Sequence, residues 1–187
     1  VFCQNENIAN GTAGKAISTE RLGEIFLELQ EKGANNINLV TPGQFVPQII
    51  KAVELARNQN LKIPIVYNTS SYENVDTIRS LEGIVDIYLP DFKYFDTALS
   101  AKYSHAPDYP AVAKAVIAEM VRQTGAAVFE NGEDSLMKRG TIVRHLILPG
   151  VGFVLTVWLW TSLSRLTLVV GLCWLGIGLV WLLVVTR

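Results

Sequence analysis

Asp91 and Lys93 are separated by a single residue, in the run Asp86-Ile87-Tyr88-Leu89-Pro90-Asp91-Phe92-Lys93. On an extended segment that spacing points both side chains to one side. It offers an acceptor for hydroxyls or an ammonium group, and a cation for a carboxylate. The same spacing equally makes a solvated surface ion pair. Arg144 and His145 lie inside the run Thr141 to Leu148. Strand alternation sends them to opposite faces, and His145 reads as a packed or surface histidine. A Schiff-base role for Lys93 would need a desolvated amine, which the neighbouring Asp91 opposes. Cys3 is the only thiol in residues 1–150. One thiolate cannot hold a metal, since zinc and iron-sulfur sites draw three or four protein ligands, and on local evidence it reads as an ordinary buried thiol.

The elements that would position these residues follow from periodicity. Ser18 and Thr19 precede apolar residues at Leu22, Ile25, Phe26 and Leu29, a helical spacing that Gly33 stops. Ile37 to Thr41 reads as a strand, followed by a helix through Val46, Ile49, Ile50, Val53 and Ala56. The cycle repeats with a strand at Ile63 to Tyr67, a short helix at Val75, Ile78 and Leu81, and a strand at Val85 to Leu89. Strand starts at 37, 63 and 85 are 26 and 22 residues apart, which is βα-unit spacing. It predicts an α/β fold with a parallel sheet and right-handed crossovers, open or closed into a barrel. Asp108 and Pro110 open a helix that Gly125 stops, Asn131 to Asp134 marks a turn, and Thr141 to Leu148 forms the last strand. The polar segments Thr41-Pro42-Gly43-Gln44, Asn68 to Tyr72, Pro90 to Lys93, and Arg144 with His145 then gather at the C-terminal rim, where parallel βα folds bind ligands.

Composition divides the chain. Residues 1–150 hold all 17 acidic residues and 14 of the 16 basic ones, a balance that gives no sign of nucleic-acid binding. The two cysteines, Cys3 and Cys173, fall in different parts, so no disulfide framework is expected and a reducing cytoplasm suits the first part.

Taken together, five segments resemble radical S-adenosylmethionine (SAM) proteins related to the pyruvate formate-lyase activating enzyme. They are Phe2-Cys3-Gln4-Asn5, Asn38 to Pro42, Val66 to Ser70, Asp86 to Lys93, and Val143 to Gly150. The resemblance runs from Val1 to Gly150 and implies a partial (β/α) radical SAM barrel. It implies that Cys3 is the third cysteine of a motif whose three thiolates hold a [4Fe-4S] cluster. It places the Thr41-Pro42-Gly43 turn near the SAM amino group, and matches Asp91 and Lys93 to an Asp-x-Lys pair. Arg144 corresponds to a strand arginine facing the methionyl carboxylate or a nearby anion; a structural ion pair is its plain alternative. Asn68, Thr69 and Ser70 line the SAM pocket or cap the next helix, capping being the commoner use. The implied chemistry is reductive cleavage of SAM to methionine and a 5′-deoxyadenosyl radical. The implied partners are a glycyl-radical enzyme and an electron donor such as flavodoxin or ferredoxin. Beginning in mid-motif, the chain reads as a fragment that lacks its first strand and two cluster ligands, and that could not assemble the cluster as it stands.

Residues 151–187 do not continue the resemblance. They contain no Asp, Glu, Lys, Asn, Gln, His, Ala or Pro, yet hold all four tryptophans, and Leu166 to Thr186 is 21 residues without a charge. This hydrophobic, helical tail reads first as the product of a frameshifted or misassembled reading frame, then as a membrane anchor, and third as a buried helix. The competing account of the whole chain is a non-enzymatic α/β binding domain anchored in a membrane by that tail.

Overall fold

In the computed structural model, residues 14–130 and 135–145 are described; they fall in one compact unit that ends at His145. Cys3, the expected turn at 131–134 and the tail at 151–187 lie outside the described residues. Among the described residues no helix is long and apolar enough to cross a membrane.

Helix α1, Thr19–Glu31, begins where Ser18 accepts a hydrogen bond from the Arg21 amide. Its buried face carries Gly23 and Phe26. After strand β1, Ile37–Val40, a 3-10 turn at Gly43–Phe45 leads into helix α2, Val46–Asn58. The two helices approach closely at Gly23, where a Cβ would lie 3.1 Å from the Ala52 carbonyl oxygen. Strand β2, Ile65–Thr69, helix α3, Val75–Arg79, and strand β3, Ile87–Pro90, complete two further βα steps. Helix α4, Thr97–Ser104, and helix α5, Tyr109–Thr124, follow, and then strands β4, Val128–Phe129, and β5, Met137–Thr141.

The sheet order is β1-β2-β3-β5-β4, parallel throughout except for the antiparallel edge pair β4 and β5. The fold is therefore mixed α/β with a mostly parallel sheet. From β1 through β3 to β5 each new strand is added on the same side of the last. Right-handed crossovers then bring the helices to one face, whereas a doubly wound sheet reverses its order. The core has that asymmetry: Ile37, Ile65, Tyr67 and Tyr88 pack with Phe26, Ile49, Val53, Ile78, Val116 and Met120 of the helices. Asn38, Val66, Ile87 and Leu89 alternate to the opposite face and, with Met137 and Ile142, line a cavity of about 230 Å3.

Several expected boundaries shift for local reasons. The strand expected from Ile63 starts at Ile65, because Pro64 has no amide proton to offer a ladder and the Ile65 amide donates to Asp86 Oδ2 at 2.8 Å. The strand expected from Val85 starts at Ile87, since the Arg57 guanidinium takes the carbonyls of Gly83 and Ile84, at 2.5 and 2.9 Å, and then Asp86. Among the described residues the last strand is Met137–Thr141, earlier than the one expected over Thr141 to Leu148, of which residues 146–148 lie outside the described residues. The Thr141-Ile142 segment and Arg144 continue beside β3 only through the Ile142 amide on Tyr88 and an isolated bridge between Asp91 and Arg144. Helix α4 has no marked amphipathic period; it is carried by Asp96, whose carboxylate accepts from the amides of Ala98 and Leu99.

Candidate functional site

β1 ends at Val40, and Thr41 turns the chain with a left-handed φ of 51°, uncommon for a β-branched residue. Its amide donates to the Asn68 carbonyl at 2.8 Å, which ties this turn to the end of β2. Pro42 is buried and opens the 3-10 turn, its carbonyl accepting from the Phe45 amide at 2.9 Å. Gly43 lies against the loop after β2: a Cβ there would be 3.1 Å from Glu73 Oε2.

That loop holds a compact hydrogen-bond group. Tyr67, fully buried, donates its hydroxyl to Glu73 Oε2 at 2.6 Å, and Thr69 donates to Glu73 Oε1. Burial first, and the Glu73 hydrogen bond second, push the Tyr67 phenol upward, so it remains a donor. Thr69 Oγ1 also accepts from the Ser71 amide at 3.1 Å, while Ser71 takes a left-handed φ of 65° with its own hydroxyl buried and without a partner among the described residues. Thr41, Gly43, Gln44, Thr69, Ser70 and Glu73 line a cleft of about 340 Å3. The capping alternative for Asn68, Thr69 and Ser70 does not hold, because Asn74 caps α3 by accepting from the Asp76 amide at 2.9 Å.

Asn68 alternates to the other face of β2 and joins a second group. Arg144 Nη2 lies 2.7 Å from Asp91 Oδ1 and 2.7 Å from Asn68 Oδ1, and Lys93 Nζ lies 3.2 Å from Asp91 Oδ2. Each Asp91 oxygen thus faces a different cation, and the i, i+2 spacing does place Asp91 and Lys93 on one side. Two cations against one carboxylate leave one positive charge. The side chains of Arg144 and Lys93 are 44% and 43% exposed, so both reach solvent. Lys93 is hence a solvated, paired ammonium and not the desolvated amine that Schiff-base chemistry needs. Part-exposed pairs contribute about 0–1 kcal/mol, too little to make stability the main consequence of gathering three charges here. Arg144 engages only Nη2 in these contacts, so the rest of its donor fork can meet a carboxylate or other anion.

His145 packs beside the Phe92 ring, with centroids 5.7 Å apart, and is hydrogen-bonded through Nδ1 to the Phe92 carbonyl. A carbonyl only accepts, so Nδ1 carries the proton. His145 is therefore packed, as its alternation implies.

Of the residues singled out from the sequence, Thr41, Gly43, Thr69 and Ser70 come together around the cleft, and Asn68, Asp91, Lys93 and Arg144 form the charged group. Pro42 shapes the turn without lining the cleft, and Cys3 lies outside the described residues. The sequence reading missed Glu73 and Tyr109. Tyr109 bonds partners 16, 18 and 39 positions away, which no local spacing signals. No group of three or more potential metal-ligating His, Cys, Asp or Glu side chains occurs among the described residues.

No family model matches the chain, and no solved structure matches it. It is similar to an uncharacterized protein of Methanocaldococcus jannaschii, 24% identical over 156 residues; these cover 80% of this chain and 41% of that protein.

Proposed function

We propose that residues 14–145 are part of a radical SAM barrel of the glycyl-radical-activating type, and that the group Asn68, Asp91, Lys93 and Arg144 binds S-adenosylmethionine. The observation that carries this reading is the Arg144–Asp91–Lys93 arrangement, with 2.7 and 3.2 Å contacts beyond the C-terminal end of β3. It leaves a net positive, solvent-reaching site where a parallel βα fold binds ligands. The one-directional strand order agrees with a singly wound barrel rather than a doubly wound sheet. In this reading Arg144 and Lys93 hold the methionyl carboxylate, Asp91 keeps both cations in place, and the Thr41-Pro42-Gly43 turn borders the amino group. Thr69 and Ser70 line the adjoining cleft.

The cluster is a different matter. These 187 residues contain two cysteines, Cys3 and Cys173, where the resemblance implies three thiolates from one motif. The residues present do not by themselves fit a [4Fe-4S] cluster. The chain spans 41% of the length of the relative it matches, and the activity of a whole enzyme remains part of the proposal. So do a glycyl-radical enzyme as partner, flavodoxin or ferredoxin as electron donor, and a cytoplasmic location.

The solvent-reaching cations of Arg144 and Lys93 equally suit a second reading, an α/β domain that binds a small anionic molecule without redox chemistry, anchored by residues 151–187. Calorimetric titration of the 187-residue protein in mild detergent with SAM, beside the Arg144→Ala variant, tests the first reading. Saturable one-site binding that the variant loses supports it; no heat at millimolar SAM contradicts it. The second reading predicts binding of small carboxylates or phosphate with no preference for SAM.

A further inference from the structure

The hydroxyl of Tyr109 is the point where three separate segments meet. It accepts from the Lys93 amide at 2.8 Å, and lies 2.9 Å from both the Ser70 and the Asp91 carbonyl oxygens, between which its one proton is shared. β3 ends at Pro90, so the chain from Asp91 to Lys93 is held by individual bonds to several segments and not by a regular ladder. The Asp91 amide donates to Thr69 O and the Phe92 amide to Arg144 O, each at 2.8 Å. Tyr109 supplies the partners for the Asp91 carbonyl and the Lys93 amide, backbone groups of the two residues whose charged side chains pair. The residue is 3% exposed, and its ring lies between Tyr72, Phe92 and Tyr94, with centroids 5.8, 6.3 and 5.6 Å away. Burial pushes its phenol upward, which keeps the donor proton in place. A buried, packed ring has little freedom, so its hydroxyl is a fixed point from α5.

We propose that Tyr109 is a positioning residue for the charged group. Through its hydroxyl it sets the separation and direction of Asp91 and Lys93 relative to Arg144, and joins that group to the cleft through Ser70. In its ligand this rests on the SAM-binding reading; in its geometry it does not. A ligand that meets Arg144 and Lys93 together is sensitive to their spacing, because a shift at Lys93 moves its cation relative to Arg144, whose backbone stays tied to Pro90 and Phe92.

The experiment compares the full 187-residue protein with Tyr109→Phe and Tyr94→Phe. Tyr94→Phe removes a hydroxyl from the same aromatic group, one that bonds Ser104 Oγ at 2.8 Å and does not touch residues 91–93. With SAM as the probe, Tyr109→Phe should bind about tenfold more weakly, while Tyr94→Phe stays within about twofold. Amide hydrogen exchange should accelerate at Lys93 in Tyr109→Phe but hold at Phe92, whose bond to Arg144 O remains. Unchanged SAM affinity in Tyr109→Phe overturns the proposal, as does an equal loss in Tyr94→Phe. If the unmodified protein binds no SAM, the functional reading falls by itself and exchange decides the geometry. Acceleration confined to Lys93 then upholds the role of Tyr109, and unaltered exchange refutes it.

Discussion

Arg144 and Asp91 meet twice. Their backbones form a parallel bridge, with the Arg144 amide donating to Pro90 O at 2.9 Å and the Phe92 amide donating back to Arg144 O, and their side chains pair at 2.7 Å. The backbone registers the two residues at the same level, so the ion pair is a consequence of strand alignment and not of a chance surface encounter. Loss of the side-chain pair should leave the alignment standing. Arg144→Ala is expected to change stability by less than about 1 kcal/mol, measured by urea denaturation, while weakening anion binding at least about tenfold. Arg144→Lys should restore the charge but not the planar fork, and recover only part of the affinity.

Glu73 presents the opposite balance. Its carboxylate accepts from a fully buried tyrosine hydroxyl, and Glu73→Ala leaves the Tyr67 donor with no protein acceptor in that bond. The expected cost is about 1–3 kcal/mol of folding stability, read from the denaturation midpoint. Glu73→Gln keeps an acceptor and should cost less.

At Gly23 two effects compete in one substitution. Alanine gains up to about 1 kcal/mol in helix propensity over glycine. Its Cβ would sit 3.1 Å from a backbone oxygen of α2, an atom that cannot rotate aside. Overpacking of this kind costs about 1–3 kcal/mol, so Gly23→Ala should destabilise the protein and lower its melting temperature.

Acid sensitivity should arise in part at Glu119. Its Arg122 and Gln123 hydrogen bonds hold the carboxyl down to about 2, from an ordinary 4.5. A folded-state value below the unfolded one gives stability that is fully present above pH 4.5 and is lost as pH falls toward 2. The stability difference between the protein and Glu119→Gln, followed by urea unfolding, should therefore be constant above that window and narrow through it.

The sequence carried the repeating units well, because each helix has a strong local sign. Ser18 and Gly33 bracket α1, and the Leu22, Phe26 and Leu29 spacing admits one face. It also carried the pairing of Asp91 with Lys93, which follows from strand geometry alone. It carried α4 poorly, since that helix depends on the Asp96 cap and not on periodicity. It misplaced the starts of β2 and β3 because their limits are set by Arg57 and Asp86, brought together by the fold from 29 positions apart. It missed Glu73 and Tyr109 for the same reason: their importance lies in partners on other segments. Thr69 reads locally as a capping residue, and the Asn74 cap together with its Glu73 partner reveals otherwise.

The most direct measurement is the affinity of the 187-residue protein for SAM beside decarboxylated SAM, which lacks only the methionyl carboxylate. The account predicts that SAM binds saturably and that the decarboxylated analogue binds at least about tenfold more weakly, since Arg144 and Lys93 lose the anion they hold. Equal binding of the two, or binding of neither, would contradict it.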